Sequence, residues 1–246
     1  MPASRLSPSV ALITGAGQRL GAALAGDLAA RGFDLVLHAF RSTREARALA
    51  KRFEAQGRRV RVLRADLRKP AEVRKLAREA WRAFGALDLL VNNAAAFEST
   101  SLEGLNETAL DAQLALNLKA PYLLSAELGR RMKRRGRGQI VNLACLSAFR
   151  AWKDYVPYSI SKAGLVALTQ GLALLLAPEV RVNAVAPGVV LPPERYDAST
   201  LRALKRRIPL KRLGRPADVV RAVAYLVEAD FVTGEVLRVD GGRALR

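Results

Sequence analysis

Short runs of Val, Leu, Ile and Ala recur along the chain at 10–14, 35–38, 60–63, 87–91, 139–143, 180–185 and 236–239. Between them lie longer stretches whose apolar residues repeat at helical spacing, at 18–31, 43–56, 70–84, 107–134, 155–177 and 216–228. Unbroken apolar strands, rather than alternating ones, are what a sheet covered on both faces requires. The alternation of strand and helix therefore predicts an α/β fold: one doubly wound domain over 1–246, with a seven-stranded, mostly parallel sheet and helices on both faces. One stretch breaks the rhythm. Residues 189–209, with Pro192, Pro193 and Pro209, read as an insertion covering the ligand site.

In open sheets of this kind ligands bind beyond the carboxyl ends of the strands, near the switch in strand order. The residues to read for function are therefore 15–21, 38–42, 92–97, 144–147 and 187–191.

Counting removes several chemistries. His38 is the one histidine and Cys145 the one cysteine, so a single chain assembles no His/Cys zinc cluster and no disulfide, and no metal site is expected. A Ser-His-Asp hydrolase would need His38, which sits in an apolar run with no nucleophile elbow nearby. A lone thiol suits a reducing cytoplasm, and the first nine residues hold no apolar stretch. The longest nearly apolar segment, 164–177, is interrupted by Thr169 and Gln170 and falls short of the ~20 residues of a membrane span. A soluble cytoplasmic protein with no membrane partner is the expectation. Its 41 basic and 22 acidic residues give a net charge of +19, which raises the question of acidic partners. The basic runs at 130–137 and 205–215 lack interleaved aromatics and any nucleic-acid module, so they read as solvated helix ends rather than an RNA site. Ion-pair networks, or attraction of a phosphorylated cofactor or an acidic carrier protein, are further uses for that charge.

After the first strand comes Thr14-Gly15-Ala16-Gly17-Gln18-Arg19-Leu20-Gly21, a glycine-rich turn entering an amphipathic helix. Glycines let backbone N–H groups approach a pyrophosphate, and the helix N-terminus adds positive potential, so a dinucleotide is favoured over mere packing. The second strand ends Leu37-His38-Ala39-Phe40-Arg41-Ser42, with no carboxylate to accept a ribose 2′-hydroxyl. Arg41 and Arg19 instead suit a 2′-phosphate, which points to NADP (NADPH) rather than NAD; the plainer reading is that Arg41 opens a solvated helix.

Tyr158-Ser159-Ile160-Ser161-Lys162 is the strongest catalytic signal. With Asp154 as a cap and Pro157 in the first turn, Tyr158 and Lys162 fall about 6 Å apart along one helix face, whereas Tyr155 is roughly 10 Å from the lysine. A nearby ammonium favours phenolate, so Tyr158 is expected to shift from about 10 toward neutrality and to act as an acid or base.

The ordered set of Thr-Gly-rich turn, Asp66, Asn92-Asn93-Ala94, Asn117, Tyr158-x-x-x-Lys162 and Pro187-Gly188 resembles the short-chain dehydrogenase/reductases from Val10 to Gly242, a Rossmann family. The resemblance implies that Tyr158 donates the proton, that Lys162 orients the ribose and lowers the tyrosine pKa, and that Asn117 holds a relay water. It also implies that Gly15, Arg19, Leu20, Arg41, Ser42, Asp66, Leu67, Asn93, Ala94, Pro187 and Gly188 contact the cofactor, together with Tyr158 and Lys162; Asn92 and Asp66 also suit loop capping. A homotetramer built through 107–134, 155–177 and the C-terminal strand is implied as well. Arg19 in place of the usual third glycine, the 38–42 segment and Asn92-Asn93-Ala94-Ala95-Ala96-Phe97 look like the pteridine reductases, which makes Phe97 an aromatic platform for substrate or, alternatively, an ordinary core residue.

One departure stands against that subgroup, and another sets the chain apart from the wider family. Cys145 occupies the position where the wider family has serine and the pteridine reductases aspartate, and a thiol is a weak donor, with Ser147 as an imperfect substitute. The Pro187–Pro192 segment lacks the family's common threonine. The expected activity is an NADPH-dependent reductase delivering hydride to a C=O or C=N carbon of a small molecule, such as a dihydropterin, with Phe97 and Cys145 facing it. A 3-oxoacyl thioester reductase and a non-catalytic NADP- or RNA-binding module are the alternatives.

Overall fold

The computed structural model describes residues 9–192 and 196–245. Seven strands form one sheet: β1 (Val10–Ile13), β2 (Asp34–Ala39), β3 (Val60–Arg64), β4 (Leu89–Asn92), β5 (Gly138–Leu143), β6 (Val180–Pro187) and β7 (Val236–Val239). Their order is β3-β2-β1-β4-β5-β6-β7, and every pairing is parallel, where the sequence allowed an exception. The order reverses between β1 and β4, which opens a crevice at their carboxyl ends.

Successive residues of β1 serve opposite faces, as strand geometry demands. Val10 and Leu12 join a core with Leu76 of α3 (Pro70–Phe84), Leu124 and Leu128 of α5 (Ala120–Arg135), and Leu172 and Leu176 of α6 (Val156–Leu176). Ala11 and Ile13 join another, with Leu24 and Leu28 of α1 (Arg19–Ala30), Phe53 of α2 (Thr43–Glu54), and Val219, Val223 and Leu226 of α8 (Pro216–Glu228). Helix boundaries follow local chemistry. Helix α3 opens on Pro70 in its first turn and closes on Gly85 at φ +77°, a left-handed end that glycine adopts without strain.

Three features differ from the sequence reading. The helix expected over 107–134 is α4 (Glu107–Leu114), a π-helical turn (Ala115–Lys119) and α5, because the chain makes a wide turn at Asn117. Asp154 does not cap α6: residues Lys153–Tyr155 form a 3-10 turn, and Tyr155 occupies the N-cap without a side-chain capping bond, its hydroxyl lying 3.3 Å from that of Tyr196. Within the stretch read as an insertion lies α7 (Ala198–Arg207), capped by Asp197, whose carboxylate accepts from Thr200 N at 2.7 Å; Pro193 lies outside the described residues. By length and composition Lys153–Leu176 would suffice to cross a bilayer, yet it carries Tyr158, Ser161, Lys162, Leu165 and Thr169 on a face buried in the protein.

Candidate active site

The turn between β1 and α1 is built for close approach. A Cβ on Gly17 would stand 2.4 Å from the Ser42 carbonyl oxygen, and one on Gly21 would stand 2.1 Å from that of Gly15. Gly15 takes φ +65° and donates its N–H to His38 Nδ1 at 3.2 Å. Since an N–H only donates, Nδ1 is the bare nitrogen, and Nε2 carries the proton toward the Ala65 carbonyl 3.0 Å away. Burial lowers the His38 pKa, so the ring is neutral. This backbone cradle at the head of α1 fits the pyrophosphate of a dinucleotide. His38 and Gly17 fall within the stretches 38–42 and 15–21 that the sequence marks for function, but neither is among the cofactor contacts the resemblance implies.

Asn93 and Ala94 lie against the same turn. Thr14 Oγ1 accepts from both backbone N–H groups at 2.9 and 3.0 Å, and Asn93 Nδ2 donates to the Thr14 carbonyl at 2.8 Å. Pro187 ends β6, and Gly188 passes so close to Asp240 that a Cβ would meet its Cα at 2.9 Å. Leu20 is partly buried in the second core, whereas Arg19 stands at φ +53° and sends its Nη2 to the Leu191 carbonyl at 2.5 Å. Arg19 thus ties the turn to the loop after β6.

At the other end, Arg41 is exposed beside Ser42, which sits at the N-cap of α2. The guanidiniums of Arg64 and Arg68 both stand over the Phe40 ring, 5.1 and 5.5 Å from its centroid. Asp66 is buried next to Leu67 and grips Arg68 with both oxygens, at 2.9 Å to Nε and 2.8 Å to Nη2. That pairing with Arg68 holds the Asp66 carboxyl below its ordinary value. Arg64 is the basic neighbour of Arg41 that sequence reading passed over.

Tyr158 and Lys162 share the buried face of α6. Lys162 Nζ lies 5.8 Å from the Tyr158 ring centroid and donates to the Leu143 carbonyl at 2.7 Å. Burial dominates both groups: it pushes the Tyr158 phenol well above its ordinary value, with the adjacent Cys145 thiol acting in the same direction, and it pulls Lys162 down to about 8. The tyrosine therefore does not move toward neutrality as expected. The loss of solvation outweighs the lysine, whose ammonium is engaged by backbone. Cys145 stands beside the phenol with its Sγ accepting from Ser147 N at 3.5 Å, whereas the Ser147 hydroxyl is buried with no partner among the described residues. The thiol, not Ser147, is therefore the neighbour of Tyr158.

Asn117, in the π-helical turn, commits its side chain to structure. Oδ1 accepts from Ala96 N at 2.9 Å, while Nδ2 faces the Ala96 carbonyl at 3.0 Å, Gln113 Oε1 at 2.9 Å and Ser161 Oγ at 3.1 Å. Only its main chain is left to hold a water. Asn92 lies deeper, donating to Asn142 Oδ1 at 2.8 Å, as a structural link between β4 and β5.

Phe97 is neither isolated nor plain core. It stacks on Tyr155 with centroids 4.4 Å apart and planes 3° from parallel, and sets its ring at 76° to Tyr158 at 4.9 Å. Trp152 closes the group edge-on to Phe97 and Tyr155, at 6.2 and 6.0 Å. The Tyr158 ring thus meets Phe97, against which Tyr155 and Trp152 pack in turn.

Residues 15–244 match the family model described as Enoyl-(Acyl carrier protein) reductase. The chain is similar to an uncharacterized oxidoreductase of Mycobacterium tuberculosis, at 37% identity over 97% of this chain and 93% of that one. It is 31% identical to the 3-oxoacyl-(acyl-carrier-protein) reductase FabG of Staphylococcus epidermidis, over 94% and 97% of the two chains. Among solved structures it resembles FolM alternative dihydrofolate reductase 1 from Brucella canis complexed with NADP, with TM-score 0.89 and 34% identity over 97% of this chain and 95% of that one.

Proposed function

Because the chain belongs to the short-chain dehydrogenase/reductase family, an oxidoreductase family, we propose that it is an NADPH-dependent reductase of a flat, ring-bearing substrate such as a dihydropterin. The observation that carries this reading is the aromatic cluster of Phe97, Tyr155 and Trp152, which meets the Tyr158 ring through Phe97. Stacked rings at van der Waals distance suit a planar heterocycle better than a flexible acyl chain. The FolM neighbour, an alternative dihydrofolate reductase, supports the same class.

When bound, the reduced nicotinamide supplies a hydride to the C=O or C=N carbon. The protein's part is proton delivery and orientation. Burial keeps Tyr158 protonated at neutral pH, which is the form that donates a proton to the oxygen or nitrogen of the substrate. Lys162, below its pKa of about 8, presents an ammonium one turn away that stabilises the phenolate left behind. Asn117 orders the 96–97 loop against Ser161 and so fixes the floor under Phe97. The cradle of Gly15, Gly17, Asn93, Ala94, Pro187 and Gly188 holds the dinucleotide, with Arg41 at the 2′-phosphate and residues 196–209 over the substrate. Exposed Ile160, Leu174, Leu175 and Tyr122 on α5 and α6, with Phe231 and Leu245 near the C-terminus, support a homotetramer, which light scattering tests.

A second reading, reduction of a 3-oxoacyl thioester, is favoured by the FabG relative and the matched family model. Absorbance loss of NADPH with dihydrobiopterin, dihydrofolate and acetoacetyl-CoA separates the two. Tyr158→Phe abolishes turnover in either case while NADPH binding persists; retained activity removes the assigned acid.

A further inference from the structure

Arg243 lies in the C-terminal turn Arg243–Leu245, and its guanidinium carbon sits 5.3 Å over the Trp152 ring, at the edge of the aromatic cluster. The one carboxylate in that turn does not neutralise it: Asp240 accepts from Gly242 N at 2.8 Å and from Ala244 N at 2.7 Å, shaping the turn that presents the arginine. Among the described residues, Arg243, Arg207 and Arg150 make no ion pair. They nevertheless stand close enough that Arg207 and Arg150 repel the charge on Arg243, which also feels Cys145 beside the catalytic phenol. Three like charges with no acid among them at the described residues form an arrangement that an anion would relieve. A guanidinium held over a tryptophan ring is positioned for two-pronged binding of a carboxylate or phosphate.

We propose that Arg243, backed by Arg207 and Arg150, recognises an anionic group on the non-reacting end of the substrate, so that the enzyme selects carboxylate- or phosphate-bearing substrates over neutral ones. This rests on the reductase reading but not on which ring or chain is reduced. Selection works by position: the anion anchors at the Trp152 edge while the reducible carbon lies under Tyr158.

The test compares kcat/KM within matched pairs, dihydrofolate against dihydrobiopterin and acetoacetyl-CoA against the neutral acetoacetyl N-acetylcysteamine thioester, in wild type, Arg243→Gln and Arg243→Lys. The first pair probes carboxylates and the second phosphates. In whichever pair is turned over, Arg243→Gln lowers the anionic-to-neutral ratio by roughly tenfold or more, mostly through KM, and Arg243→Lys retains part of it. A ratio unchanged in Arg243→Gln overturns the proposal. If Arg243→Gln does not fold, wild type is read against salt: a KM for the anionic partner that climbs with ionic strength while the neutral one stays flat supports the site, and parallel behaviour overturns it. Absence of turnover in the pterin pair alone defeats the pterin reading and leaves this comparison standing on the thioesters.

Discussion

The N–H of Gly15 donates to Nδ1 of His38 at 3.2 Å, which makes the first residue of the dinucleotide cradle depend on the protonation state of one imidazole. The same ring reaches the Ala65 carbonyl through Nε2, so it fastens the turn after β1 to the end of β3, beside Asp66. A protonated ring would have no acceptor for Gly15, and its second proton would point at an N–H.

Stability should therefore fall in mildly acid solution. The folded-state pKa of His38 lies below the ordinary 6.5, so between those two values the unfolded chain binds a proton that the native protein does not. The contribution is complete above 6.5 and is lost as pH drops, at up to about 1.4 kcal/mol per pH unit. No other histidine blurs the window. Urea midpoints between neutrality and mild acid should decline in wild type, and His38→Asn should flatten that slope. A wild-type midpoint constant across the window would contradict the assigned tautomer.

Two glycines of α1 and its entry turn should respond oppositely to alanine. In Gly17→Ala the new Cβ meets the Ser42 carbonyl at 2.4 Å, a backbone atom that cannot step aside without moving the start of α2. About 1–3 kcal/mol of destabilisation and a weakened NADPH complex are expected. At Gly26 the nearest atom is the flexible Arg52 Nη2 at 3.9 Å, so Gly26→Ala should gain up to about 1 kcal/mol from helix propensity. Thermal denaturation with and without NADPH reads both.

The sheet was legible because buried parallel strands are written as continuous apolar runs, and seven of them could be placed within one or two residues. What remained hidden depended on distant partners. The π-helical turn at Asn117 has no sequence mark, since a wide turn uses the same residues as a regular one. Helix α7 was obscured by the prolines around it, although Leu201 and Leu204 repeat at helical spacing. Tyr155 could be ranked behind Tyr158 from its rise along α6, but its stacking on Phe97 joins loops 58 positions apart and could only be seen in three dimensions. The predicted fall in the Tyr158 pKa failed for the same reason, because spacing along a helix reveals the lysine and conceals the burial.

Coenzyme preference should be governed by arginines at the ends of β2 and β3. Arg68 is committed to Asp66, which leaves Arg41 and Arg64 around Phe40 for a 2′-phosphate. Arg41→Ala should weaken NADPH roughly tenfold more than NADH, and Arg64→Ala should shift the same ratio to a smaller degree. Fluorescence titration of both coenzymes measures it. Equal losses for NADPH and NADH would reassign Arg41 to a solvated helix start.

Lys162 gives the reaction an alkaline limit that can be told apart from unfolding. Its pKa is lowered from 10.5 to about 8, so the ammonium that stabilises the Tyr158 phenolate disappears as pH rises through 8. The kcat/KM of the free enzyme should fall along that limb. Linkage runs the other way for stability. Between about 8 and 10.5 the unfolded chain holds a proton on this lysine that the native protein has released, so the contribution of Lys162 to stability grows with pH across that range. Activity and this share of stability should therefore diverge: kcat/KM declines while the difference in urea midpoint between wild type and Lys162→Met moves in favour of wild type. If both decline together from pH 8 upward, the limb reports unfolding, and the buried ammonium is not the group that controls the rate.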